Sequence, residues 1–285
     1  MGAPTRWLLI VCAACNGGGG GSSSGDDGGT SGGSGDAAVP TAVCERPPLV
    51  DTSAPTTTVG TGTPASCTMA ALQAAATIGG TIVFNCGADV TTITVTAPIT
   101  FTKESVLDGG SLVSLSGGNN NRILYLDSDY NTATPRLTVQ RMAFRDGKGP
   151  TTGDDTAQGG GAIYRDGGSL TVIDCDFENN HATPTGQDTA GGAIYGFGGG
   201  DTTIVGSTFT NNAASDGGAV GSLNGNLTVI DSIFSGNSAT GTGGNPGNGG
   251  CGGALYMDGK DEATSLCGVT IQNNAAGAKI GRAHV

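Results

Sequence analysis

Large and basic side chains are scarce in this sequence. Aromatic residues make up 5% of it, too few for a thick globular core. A thin core repeated along an axis needs fewer of them. Lys and Arg number 12 against 24 Asp and Glu, for a formal charge of −12. Phosphate binding needs clustered bases, so the balance argues against a nucleic-acid partner; it suits solubility, the plainer reading, or divalent-cation affinity. Only two histidines occur, His181 and His284. No Cys-x-x-Cys or Cys/His spacing supports zinc or thiol redox chemistry. No Ser/His/Asp, phosphate-loop or cofactor signature is present, so no cofactor is expected. No stretch sustains a 3.6-residue apolar period; the one plausible helix is residues 69–76, with Ser66 or Thr68 as N-cap and Gly79 as terminator.

What is abundant is glycine, 54 of 285 residues, against a usual share of about 7%. It is spread in two ways. Residues 16–36 are almost wholly Gly, Ser and Asp, the composition of a flexible tether. Elsewhere Gly recurs in a repeat. Phe144, Phe177, Phe209, Phe234 and Ile271 anchor its copies. Seven residues earlier lie Leu137, Leu170, Thr202, Leu227 and Thr264, and five earlier Val139, Val172, Ile204, Val229 and Leu266. Two earlier lie Met142, Cys175, Ser207, Ser232 and Val269. Three later lie Gly147, Asn180, Asn212, Asn237 and Asn274. Ahead of the last four anchors stands Gly-Gly-Ala, ending at Ala162, Ala193, Ala219 and Ala254. The arc from Ala to anchor is nearly constant in length, whereas the arc back to the next Ala varies. A coil with insertions on one side has that property.

Within the constant arc the apolar period is two, broken by a bend. That is short-strand patterning. Short strands recurring once per coil stack in parallel, about 4.8 Å apart, which sets Phe on Phe and Asn on Asn. A stacked column of Asn180, Asn212, Asn237 and Asn274 can hydrogen-bond along the axis and satisfy polar groups turned inward at a bend. The fold class predicted is all-β: a right-handed parallel β-helix, a solenoid, over residues 67–278. Upstream, residues 81–84, 93–96, 99–101, 106–107, 112–115 and 123–126 read as further short strands. The 69–76 helix is the candidate cap for the solenoid's first edge.

The alternating Gly-Gly-Ala-Ile and Phe-x-x-Asn motifs, over residues 162–274, resemble the repeats of chlamydial polymorphic outer membrane proteins. The resemblance implies a β-helix of the pectate-lyase-like superfamily displayed at a cell surface. At the other end, Arg6, the apolar residues 7–11 and the small Ala13 and Ala14 ahead of Cys15 follow the order of a secretory signal, too short to span a bilayer. This segment resembles a bacterial lipoprotein signal, although Cys12 stands where that family usually has Leu or Val. The resemblance implies lipidation at Cys15, membrane partnership through the lipid, and a place on the outer membrane or cell surface. Ordinary cleavage would give an extracellular protein instead. The organisation expected is a signal at 1–14, a tether at 15–36, an extended Pro/Thr-rich segment at 37–66 and the β-helix at 67–278, cut short. Residues 279–285 break the pattern and read as a translated sequencing adaptor.

An exported chain can oxidise its cysteines, and six beyond Cys15 allow fifteen connectivities. Cys67 and Cys86 flank the helix and first strand, so a bridge there would pin the cap. Cys251 and Cys267 lie in one coil. Cys175 sits in an inward column and reads as a buried free thiol. Cys44 has no obvious partner.

The pectate-lyase-like resemblance also raises polysaccharide lyases, which hold Ca²⁺ between clustered acids beside a basic residue, and hydrolases, which use paired carboxylates. Asp154 and Asp155, near Asp146 and Lys148, read as a solvated loop. His181 reads as a surface residue. Arg141 and Arg145 alternate with the inward column and so face outward, as do Asp174, Asp176 and Asp231, with nothing in the sequence to gather them. The function expected is therefore a non-catalytic surface protein that binds a carbohydrate or protein ligand. A lyase or hydrolase, with Ca²⁺, is the alternative.

Overall fold

The computed structural model describes residues 44–260 and 262–277; Cys15, the predicted signal and tether, and the 279–285 tail lie outside them. The described chain is mostly β, with one α-helix, Met69–Ile78, and two single-turn 3-10 helices, Pro64–Ser66 and Asp155–Gln158. Its strands form three parallel sheets: a large one, one of six strands and one of three. The chain visits the sheets in turn. Ile194–Phe197 lies in the second sheet, Thr202–Val205 and Thr208–Thr210 in the large sheet, and Ala213–Ala214 in the third. Val220–Leu223 then returns beside Ile194–Phe197.

The register follows the sequence columns. Phe177 pairs with Phe144 and with Phe209, and Phe234 with Phe209 and Ile271. Val172 pairs with Val139 and Ile204, and Val229 with Ile204 and Leu266. The four Phe rings stack face to face at 4.8, 4.7 and 4.6 Å, within 9° of parallel. In the second sheet Ile163, Ile194, Val220 and Leu255 form the facing column. Few large residues suffice, because each touches its own kind above and below.

The asparagines line the corner between the large and third sheets. Asn180 donates from its backbone N–H (2.9 Å) and Nδ2 (3.0 Å) to Asn212 Oδ1, and Asn212 does the same to Asn237. Each Nδ2 also reaches a carbonyl: Asn180 that of Phe144, Asn212 that of Phe177, Asn237 that of Phe209. Gly147, where the first copy lacks its Asn, gives its N–H to Asn180 Oδ1 at 2.8 Å. A second polar column runs through Cys175, Ser207 and Ser232, each hydroxyl accepting the N–H of the preceding column member at 3.1 Å. Cys175 is a free, buried thiol, and burial pushes its pKa up to about 12.

The two glycines of Gly-Gly-Ala have different reasons. The first is left-handed, with φ of 63°, 67°, 51° and 66° at Gly160, Gly191, Gly217 and Gly252, a region costly for residues with a β-carbon. The second has no room for one. A β-carbon on Gly192 would stand 2.4 Å from the Gly218 carbonyl oxygen.

Upstream, the separate strands expected at 106–107 and 112–115 are one strand, Ser105–Ser116, whose register against Arg136–Arg145 shifts between Asp108 and Val113. Its extra residues make a bulge, so Leu115 still pairs with Phe144. The helix is capped by Thr68, which accepts the Ala71 N–H at 3.2 Å, and ends at Gly79. Leu72, Ala75 and Ala76 are buried. Gln73 meets the edge of strand Ile99–Phe101, its carboxamide bonding the Thr100 N–H at 3.2 Å and carbonyl at 3.4 Å.

The segment before the helix does not stand apart. Thr57–Val59 is a strand paired with Gly80–Phe84. Ahead of it, residues 44–56 run as a strap along the outside of the large sheet. Cys44 is bonded to Cys267 in the last described pass, and Cys67 to Cys86 in the first. The sequence pointed to Cys251 with Cys267 and left Cys44 without a partner; the structure corrects this. Cys267 follows inward-column Leu266 and so projects outward onto the strap. Cys251, itself disulfide-bonded, packs with Tyr164, Tyr195 and Tyr256 beside the second sheet.

Candidate functional site

The outer face of the large sheet carries the charged residues that the sequence placed outside. Their positions follow from the bends. Three residues before each anchor stand Arg141, Asp174, Gly206, Asp231 and Gly268, all left-handed, with φ between 47° and 66°. Asp and Gly tolerate that conformation, and it turns these side chains outward. A cleft of about 270 Å³ opens here. Its apolar wall is Val90, Val113 and Met142; Arg141, Arg145, Asp174 and Asp176 supply its charge. The structure thus gathers four charges that the sequence left scattered.

Each of the four is partnered. Arg141 grips Asp108 with both ends of its guanidinium, the Nε contact being 2.9 Å. Burial alone would raise the Asp108 carboxyl, but bonds from Arg141, Gln140, the Gly110 N–H and Thr52 outweigh it and hold its pKa below the ordinary value. The same bond raises the Arg141 pKa further. Arg145 pairs with Glu178, and Asp176 accepts from Thr208. Asp174 accepts from Arg46 of the strap at 2.6 Å, and Asp231 lies 3.8 Å from the same guanidinium. The strap is further tied by Gln140, whose carboxamide meets the Val50 N–H at 2.9 Å and carbonyl at 3.0 Å, and by Thr52, which donates to Asp108 at 2.7 Å. An arginine held by two charge-assisted bonds is a poor proton acceptor. This face offers fixed, alternating charge, which suits recognition.

The remaining candidates lie apart from the cleft. Asp154 precedes the 3-10 turn in the insertion loop, and Asp155 accepts the Gln187 N–H of the next pass at 3.0 Å. His181 is half-buried, its backbone bridged to those of Lys148 and Ala213, and burial lowers its pKa. Among the described residues no three of His, Cys, Asp and Glu gather to hold a metal. No described helix is long and apolar enough to cross a membrane.

Sequence reasoning missed a second core. Two residues after the Ala of the motif stand Tyr164, Tyr195 and Tyr256, on the outer side of the second sheet beneath the insertion loops. Arg122 lies over Tyr164, 4.4 Å from the ring centroid, and donates to the carbonyls of Ala157, Gly159 and Gly160. Arg165, fully buried, bonds the Gly168 and Gly198 carbonyls. Burial lowers both guanidinium pKa values to about 10. Tyr recurring at a fixed offset from Gly-Gly-Ala was the available signal.

Residues 174–196 match the model of the Chlamydia polymorphic membrane protein repeat. The matched stretch holds Phe177, Asn180 and one Gly-Gly-Ala-Ile. Neither the curated proteins nor the solved structures compared with the chain gave a match.

Proposed function

We propose that this chain is a right-handed parallel β-helix, closed at its first edge by the Met69–Ile78 helix, that is displayed on the outside of a bacterial cell and binds a surface ligand without catalysis. The observation that carries this reading is the paired outer face: Arg141, Arg145, Asp174 and Asp176 converge on one cleft, yet each is held by a partner. Support for surface display comes from the polymorphic membrane protein repeat. Chain displayed on a non-adherent bacterium should raise retention on host cells, or on a carbohydrate or matrix-protein array, and Arg145→Glu with Asp176→Arg should cut that retention about tenfold, the scale of one or two lost polar anchors. Retention equal to that of the undisplayed strain would sink the reading.

The alternative reading, a polysaccharide lyase or hydrolase, rests on fold-level analogy alone. Purified protein incubated with polyuronates and Ca²⁺ distinguishes the two: unsaturated uronates or a fall in viscosity would replace the binding reading with the enzymatic one. The membrane attachment rests on Cys15. Mature protein should partition into detergent with acyl mass on Cys15, and Cys15→Ser should abolish this. A water-soluble wild-type product that begins beyond Cys15 would refute the anchor.

A further inference from the structure

The insertion loops of three successive passes meet at the edge of the second sheet, and their meeting point is short of hydrogen-bond donors. Asp216 is fully buried. Its Oδ1 accepts the Cys251 N–H at 2.7 Å and the Gly250 N–H also faces the carboxyl, but its Oδ2 makes no hydrogen bond. The Tyr195 hydroxyl, also fully buried, has none either. These are two of the four such side-chain atoms among the described residues. Ser215 Oγ lies 2.7 Å from the Gly186 carbonyl and 3.2 Å from that of Asn248, yet a hydroxyl has one proton to give. On the side of Gly249 where a side chain would project, Ser215 Oγ, Asp216 Oδ2 and the Gly186 oxygen converge, at 2.1, 2.6 and 2.9 Å from the point a β-carbon would occupy. Burial, with Asp188 and Asp258 close by, raises the Asp216 carboxyl to about 7, and Asp188 is raised in turn by burial, Asp258 and Asp155. The corner is rich in acceptors and negative in potential, without a cation of its own among these groups.

We propose that this corner binds a hard divalent cation, Ca²⁺, through Asp216 Oδ2, Ser215 Oγ and the main-chain oxygens of Gly186 and Asn248. One carboxylate with neutral oxygens is Ca²⁺ chemistry rather than that of a softer metal. The ion relieves the unpartnered carboxylate and rivets three loops, residues 183–189, 215–217 and 244–251, that otherwise differ in length from pass to pass. Modules outside the cell bind Ca²⁺ at about 10⁻⁴–10⁻³ M, and a site of this charge belongs there.

The test uses the full chain after chelation. Adding about 10 mM Ca²⁺ should raise the melting temperature by roughly 3–5 °C. Terbium should give luminescence sensitised by Tyr195 and Tyr256. Asp216→Asn, which keeps shape and removes charge, should lose both responses, and Ser215→Ala should weaken them. The wild-type response decides the matter even if a variant folds poorly: no shift and no luminescence overturns the proposal. A response undiminished in a folded Asp216→Asn protein also overturns it, since the ion would then sit elsewhere.

Discussion

Asn212→Ala is expected to cost about 4 kcal/mol or more of unfolding free energy, against about 1–2 kcal/mol for Asn274→Ala, both read from urea midpoints. The substitution removes one acceptor and two donated bonds at a fully buried site. Asn180 loses the acceptor for its backbone N–H and for its Nδ2. The Phe177 carbonyl and Asn237 Oδ1 lose the Nδ2 protons of Asn212. Each buried orphan costs about 1–3 kcal/mol, and none can turn to solvent, because Asn180, Asn212 and Asn237 are at most 1% exposed. Asn274 makes the same kinds of bond to Asn237 and Phe234. It is half-exposed, however, and water can replace it. Equal losses at the two positions would mean that the column contributes local turn geometry rather than axial bonding.

This column was legible because stacking converts sequence position into spatial contact: whatever recurs at one offset touches itself. The Phe and Val/Ile columns were readable for the same reason. Asp146, Asn179, Asn211, Gly236 and Asn273, two residues after each anchor, are all left-handed, as is the bend column at Arg141, Asp174, Gly206, Asp231 and Gly268. Asn, Asp and Gly at fixed offsets are the residues such positions favour, so both turns were written in the repeat. The strap was not. Residues 44–56 belong to no repeat, and their contacts are set by tertiary position alone. Outward projection of Asp174 and Asp231 followed from alternation. That a single arginine, Arg46, would sit between them could not, since it lies 128 residues before Asp174. The pairing of Cys44 with Cys267 escaped for the same reason, as connectivity does not follow from spacing.

That disulfide carries the second large effect. Replacing both Cys44 and Cys267 by Ser, so that no thiol is left free, should lower stability by about 5 kcal/mol, the chain-entropy value for a loop this long. The bonded pair is 223 residues apart. Cys67 and Cys86 are 19 apart, and the same relation gives about 3 kcal/mol for their double replacement. Position widens the gap. The bond ties the strap to the last described pass, far along the stack from the first, so its loss frees both. The strands of that pass, Thr264–Cys267 and Thr270–Gln272, should lose amide protection first, and residues 44–56 should become the site of proteolytic nicking. Arg46→Ala should cost under about 1 kcal/mol, since both its ion pairs are solvent-exposed. The expected order is therefore the long clasp, then the short one, then the arginine. If the Cys67/Cys86 variant proved weaker than the Cys44/Cys267 variant, the first edge and its helix, rather than the strap, would be what holds the stack closed.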